Sequence, residues 1–208
     1  AQQLGWDVPD WVVIPGGNLG NASALGTGFS MLKQLGLIAR VPRIAVAQAQ
    51  KANPLYRAFK NGFSEAAVIQ AEQTLASAIQ IGDPVSYRRA VRMIRAFDGV
   101  VEEATESELA DAAARADQEG AFVCPNTGVA LAALIRLATA GTIRAGSRVA
   151  VISTAHGLKF PEFKVGYHRN VLPGVEAAWA NPPLELPPEV NAVRRAVGER
   201  LDAVERLG

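Results

Sequence analysis

Short β-branched runs alternate along the chain with longer stretches rich in alanine and leucine. Trp11-Val12-Val13-Ile14 and Arg43-Ile44-Ala45-Val46-Ala47 are continuous apolar runs of strand length, the pattern of strands buried on both faces. Arg148-Val149-Ala150-Val151-Ile152-Ser153 is a third such run, and Val100-Val101 a short fourth. Between them the spacing predicts helices over residues 22–35, stopped by Gly36, and 53–61, closed by Gly62. A further helix is predicted over 86–97, with Val91 and Ile94 inward and arginines outward. Thr105-Glu106-Ser107-Glu108 reads as a capping box opening a helix to residue 118. Another helix should follow Cys124-Pro125 to residue 140, while residues 63–85 are less regular, with a turn at Gly82-Asp83-Pro84. Strands alternating with helices imply an α/β fold with a mostly parallel sheet flanked by helices.

After His156 the chain becomes irregular and proline-rich as far as Pro188. A final helix from about residue 189 sets Val190, Val193, Val197, Leu201 and Val204 on one stripe. Such a stripe is expected to pack on the parent domain; the alternative is a contact in a homodimer. The domain reading is therefore a main body over 1–170 and a proline-rich connector with an amphipathic helix over 171–208.

Composition narrows the function classes. The 208 residues are 49% hydrophobic, enough for one domain or one large domain with an appendage. With 21 basic and 20 acidic side chains, charge offers no reason to expect nucleic acid or an anionic membrane as a partner. No apolar run has the length of a membrane span, and the first residues lack the pattern of a signal peptide. The chain opens mid-pattern, like the last turn of a helix, so its beginning is expected to lie upstream. The one cysteine, Cys124, excludes an internal disulfide and fits a reducing, cytoplasmic setting. One cysteine and two histidines are a poor basis for a zinc site made by protein alone.

Two motifs carry candidate chemistry. In Pro15-Gly16-Gly17-Asn18-Leu19-Gly20-Asn21 a strand feeds a glycine-rich turn that feeds a helix. Glycines let the backbone approach an anion, and the N–H groups at the helix start favour a phosphate. A plain tight turn is the competing reading. Against it stand the side-chain donors of Asn18 and Asn21 and the position after a parallel-type strand. The spacing fits neither a dinucleotide fingerprint nor a nucleotide P-loop. The second motif, Ser153-Thr154-Ala155-His156-Gly157-Leu158-Lys159-Phe160, also follows a strand, so its polar residues should reach the same sheet edge. Thr154 there is either a ligand of a ring nitrogen or a backbone-capping hydroxyl, and His156 taken alone is more simply structural. A third segment, 76–84, reads equally as a substrate-facing loop or a connector.

Taken together, these segments resemble threonine synthases of plants and many bacteria. The resemblance runs over roughly residues 1–170 and includes Ala52-Asn53-Pro54-Leu55-Tyr56, Val101-Glu102-Glu103-Ala104-Thr105 and Cys124-Pro125-Asn126-Thr127-Gly128. It implies a fold of the tryptophan-synthase-β type and a pyridoxal 5'-phosphate cofactor. The implied reaction converts O-phospho-L-homoserine and water to L-threonine and phosphate. It further implies that Gly17, Asn18, Leu19, Gly20 and Asn21 cradle the cofactor phosphate and that Thr154 meets the pyridine nitrogen. A neutral hydroxyl there would leave that nitrogen largely unprotonated and the cofactor a weaker electron sink. Two departures stand out. Asn126 occupies a position where plant members are expected to carry histidine. The family's Schiff-base lysine is expected upstream of Ala1, because Lys33, Lys51, Lys60, Lys159 and Lys164 do not match its motif. A cysteate synthase, a threonine dehydratase and a non-catalytic module on the same scaffold are the other readings.

Overall fold

A computed structural model describes residues 1–64 and 68–205, without the side chains of residues 204 and 205. Its strands are β1 (Trp11–Pro15), β2 (Arg43–Ala49), β3 (Val100–Ala104) and β4 (Val149–Val151). They form one sheet in the order β3-β2-β1-β4, with each neighbouring pair parallel. Parallel neighbours require crossovers, and helices supply them. Helix α1 (Gly20–Gln34) joins β1 to β2, and α2 (Pro54–Lys60) with α3 (Tyr87–Ala96) joins β2 to β3. Helices α4 (Glu106–Gln118) and α5 (Pro125–Thr139) precede β4.

Successive strand side chains point to opposite faces, and both faces are covered. Val13, Ala45 and Ala47 pack with Leu109, Ala113, Val129 and Ala133 of α4 and α5. Ile14, Ile44 and Val46 pack with Leu55, Val91 and Ile94 on the other side. The expected capping box forms: Thr105 accepts from the Glu108 N–H, and Glu108 accepts from the Thr105 N–H at 2.8 Å. Glu108 also binds Arg136 through two contacts of 2.8 Å, which ties α4 to α5.

This connectivity positions the site. The chain leaves β1 toward β2 and β3, then returns through α4 and α5 to lay β4 on the opposite side of β1. The order therefore reverses between β1 and β4, and open α/β sheets take ligands in the crevice beyond the carboxyl ends at such a point.

Several elements differ from expectation. Strand β3 is longer than Val100-Val101, since Glu102 and Glu103 continue it and find partners in Arg136 and Asn53. Strand β4 is shorter than 148–153, although the Ile152 N–H still donates to the Val13 carbonyl at 2.9 Å. A helix, α6 (Pro161–His168), occupies a stretch expected to be irregular. Pro161 sits in its first turn, where the missing N–H costs nothing, and Phe163 and Tyr167 are buried in the core.

Helix α7 (Val190–Glu205) forms, but its apolar stripe does not pack on the body. Val190, Val193, Val197 and Leu201 are all exposed, and the Val204 side chain lies outside the described residues. The connector before α7 explains this. The connector is tied to the body by the Trp179 N–H to Tyr167, the Asn181 N–H to His168 and an exposed ion pair of Glu185 with Arg169, while Arg200 of α7 reaches back only to the Pro182 carbonyl of the connector itself. An exposed stretch through Pro187 and Pro188 then carries α7 onward.

Candidate functional site

The glycine loop owes its shape to inward-facing anchors. Pro15 ends β1, and the Gly16 N–H donates to the Ala47 carbonyl at 2.7 Å. The Gly16 carbonyl accepts from the side chain of Gln48, a fully buried residue on β2, at 3.1 Å. The Asn18 carbonyl accepts from the Ser86 N–H at 3.1 Å, and the Leu19 carbonyl from the Ser23 hydroxyl at 2.8 Å. Leu19 takes φ 64°, a left-handed conformation that costs a leucine on the order of 1 kcal/mol. Its side chain, buried beside Ile14 and Val46, offsets that cost.

With the carbonyls turned inward, the donors face out. Among the described residues, no main-chain N–H of residues 17–21 donates to a main-chain carbonyl. These groups sit at the start of α1, where the helix dipole adds positive potential. Asn18, Gly20 and Asn21 are exposed while Gly17 and Leu19 are buried. A side chain at Gly17 would meet the Ile79 Cα at 3.0 Å, so glycine permits the Ser77–Ile79 turn to close over the loop.

The opposite wall is made by side chains at the start of α5. Cys124 is the N-cap, and its Sγ accepts from the Thr127 N–H at 3.4 Å. The same sulfur lies 3.2 Å from Thr127 Oγ1 and 3.6 Å from Thr154 Oγ1. Thr127 Oγ1 in turn accepts from the Thr154 N–H at 3.2 Å and touches Ser153 Oγ at 3.4 Å. Burial pushes the Cys124 thiol up, but hydrogen bonds from Thr127 and Thr154 outweigh it and the net shift is down. The Cys124 N–H donates to the Ala155 carbonyl, and Val123 bridges His156, which fixes the turn after β4 against α5.

A cavity of about 280 Å³ separates the two walls. Gly17, Asn18, Leu19, Gly20, Asn21 and Thr154, all singled out from sequence, line it together. Ala78 and Ile79 of the third segment line it as well, as does Asn126 of α5. From sequence, Asn126 stands out only as a departure from the plant pattern, and Cys124 has no place in a site. The available signal was polar residues flanking Pro125 at a helix start. His156 plays the structural part: its Nδ1 accepts from the Leu158 N–H at 3.2 Å. None of the five lysines lines the cavity. Lys164 is buried elsewhere, 2.7 Å from Asp117 and 4.6 Å from the Phe122 ring centroid; burial lowers its pKa, with Asp117 opposing.

The donor set fits a phosphate attached to a flat ring. Clustered N–H groups and the Asn18 and Asn21 amides line the cavity on the glycine side, with the Thr154 hydroxyl and the Asn126 amide on the other. Among the described residues no His, Cys, Asp or Glu cluster suited to a metal ion is present.

Comparison with known proteins agrees with this geometry. The family model for pyridoxal-phosphate dependent enzymes matches residues 1–155. The chain is 50% identical over 206 residues to threonine synthase 2, chloroplastic, of Arabidopsis thaliana, covering 99% of this chain and 40% of that protein. The chain thus spans about two fifths of the length of the curated relatives it matches. Among solved structures, the threonine synthase of Escherichia coli superposes with a TM-score of 0.59 at 22% identity, over 91% of this chain and 44% of that one. A fungal L-serine ammonia-lyase from Rhizomucor miehei gives 0.61 at 17% identity, over 78% and 51%.

Proposed function

Because this chain belongs to the pyridoxal-phosphate dependent enzyme family, we propose that it is the cofactor-holding portion of a threonine synthase, acting on O-phospho-L-homoserine and water to give L-threonine and phosphate. The observation that carries this reading is the convergence of the glycine loop and Thr154 on one cavity at the strand-order reversal.

When bound, pyridoxal phosphate supplies an electron sink for carbanionic steps at the substrate carbons. This chain's residues hold and orient it. The N–H groups of residues 17–21, with the Asn18 and Asn21 amides, take the phosphate. The dipole of α1 favours that dianion further. Thr154 presents its hydroxyl to the ring nitrogen. Ile79 and the start of α5 exclude water from the ring, which strengthens each of these polar contacts. On this reading the covalent lysine comes from sequence beyond these residues.

The partner so implied is a small molecule. Among the described residues no helix is long and apolar enough to cross a membrane. The proposed compartment is the cytoplasm, on the strength of one buried free cysteine. The Arabidopsis relative is chloroplastic by name, and imaging of a tagged protein distinguishes the two.

The test is an assay of the complete enzyme with three substrate sets: phosphohomoserine, phosphoserine with sulfite, and threonine. Threonine and phosphate formed in equal amounts from the first is the expected result. Turnover confined to either other set assigns a different activity to the scaffold.

A further inference from the structure

The polar groups of the α5 wall form a connected set whose protons can be counted. Cys124 Sγ, fully buried, accepts from the Thr127 N–H at 3.4 Å and from Asn126 Nδ2 at 3.8 Å. It also meets two hydroxyls, Thr127 Oγ1 at 3.2 Å and Thr154 Oγ1 at 3.6 Å. Thr127 Oγ1 accepts from the Thr154 N–H at 3.2 Å and meets Ser153 Oγ at 3.4 Å. Asn126, only 4% exposed, lines the cavity with an Oδ1 that has no hydrogen-bond partner among the described residues, the mark of a corner completed by a bound group.

Each hydroxyl, and the thiol, carries one proton. On the proposed function Thr154 gives its proton to the unprotonated ring nitrogen, so its contact with Cys124 needs a proton from the sulfur. With the S–H so committed, the Thr127 hydroxyl must donate to the sulfur, and Ser153 donates to Thr127 in turn. Every contact is then filled once, in one direction, from Ser153 through Thr127 and Cys124 to Thr154. We propose that Cys124 is a positioning residue for the cofactor ring: as a thiol it donates its S–H to Thr154 Oγ1 and so commits the Thr154 proton to the ring nitrogen. This rests on the proposed function and deepens it. A thiolate reverses the last contact. The Thr154 hydroxyl turns to the charged sulfur, because hydrogen bonds to ionised groups are roughly twice as strong as neutral ones, and the ring nitrogen is left without a donor.

Cofactor affinity is therefore full while Cys124 is protonated and falls as pH rises through the thiol pKa of the cofactor-free protein. Burial pushes that pKa up, and hydrogen bonds from Thr127 and Thr154 outweigh it, so the fall should begin below the ordinary cysteine value. Lys164 of α6, paired with Asp117 of α4, acts on the sulfur through its charge, and His156 stands in the turn beyond Thr154. All three are kept unchanged in the test.

The experiment measures the dissociation constant of pyridoxal phosphate for the complete enzyme as a function of pH, in wild type, Cys124→Ser and Thr154→Val. Serine carries a donor hydroxyl that does not ionise in the range of a thiol, and valine removes the hydroxyl through which the sulfur acts. Ionisations of the cofactor and of the covalent lysine are common to all three proteins and cancel in the comparison. Wild type should lose about tenfold in affinity through one inflection, the contribution of a single hydrogen bond, and both variants should lack that inflection. An inflection absent from wild type, or kept in Cys124→Ser, overturns the assignment. So does one kept in Thr154→Val, which would mean that the sulfur acts on the ring by charge and not through the hydroxyl. If Cys124→Ser fails to fold, Thr154→Val decides alone. A wild-type enzyme that binds no cofactor overturns the proposed function and this inference together.

Discussion

The two walls of the cavity are built on opposite plans. The glycine wall is made of backbone: its carbonyls are tied inward to Gln48, Ser86 and Ser23, and what it offers the cavity is a row of N–H groups. The α5 wall is made of side chains, with Cys124, Asn126, Thr127 and Thr154 bonded to one another. A backbone wall can lose its ligand without losing its fold, because its donors do not hold the protein together. In the side-chain wall, Asn126 and Thr154 line the cavity and are held from behind by Cys124 and Thr127, so a change there should reach the fold as well.

Gly20→Asp is the largest expected departure on the ligand side. A side chain at residue 20 meets nothing closer than Ser86 Oγ at 3.8 Å, so the fold accepts it. On the proposed function the new carboxylate would face a phosphate dianion, and like charges about 4 Å apart repel by roughly 4 kcal/mol per charge pair at a protein surface. Cofactor affinity in the complete enzyme should fall by more than about a hundredfold, while the melting temperature of the cofactor-free protein stays unchanged. Unchanged affinity in an absorbance titration would remove the phosphate role from this wall.

Lys164→Met attacks the base of the other wall. The pair with Asp117 leaves the two side chains only 7% and 15% exposed, and stranding one partner of a buried pair costs about 3–5 kcal/mol. Thermal denaturation should show a large loss of stability, with a smaller loss of cofactor affinity. The reverse order, affinity lost and melting temperature kept, would break the contrast between the walls.

Thr154→Val is the mildest change. It keeps the shape and removes one hydroxyl, which is worth about 0.5–1.5 kcal/mol. Cofactor affinity should fall by up to about tenfold, and the absorbance of the bound cofactor should shift. Wild-type absorbance and turnover would count against Thr154 as the ring-nitrogen partner.

The same contrast decided what could be read in advance. β-branched runs such as Ile44-Ala45-Val46 announce buried strands, and the order of strand, glycine turn and helix announces a backbone anion site, because both depend on local chemistry. The α5 wall depends on contacts between Cys124 and Thr154, 30 residues apart, and a thiol is not a customary N-cap. Asn126 in a first helical turn reads as helix-start chemistry until the cavity beside it is seen. Helix α6 was hidden by its leading proline and its glycine, which resemble a loop until Phe163 and Tyr167 find the core. For α7 the stripe was legible and its partner was not, because periodicity reports that a face is apolar and says nothing of what covers it.

The buried amide of Gln48 has a further consequence, in the timing of motion. Its nitrogen donates to Gly16, while its oxygen accepts from the Tyr56 N–H of α2 at 3.0 Å. Loop and helix therefore share one fastener and should open together as a cooperative unit. In hydrogen exchange on the complete enzyme, the amides at the start of α2 should become protected in step with those of the glycine loop as cofactor is added, although they do not line the cavity. Changes in α2 would then alter how long the cofactor stays bound without altering a single contact it makes.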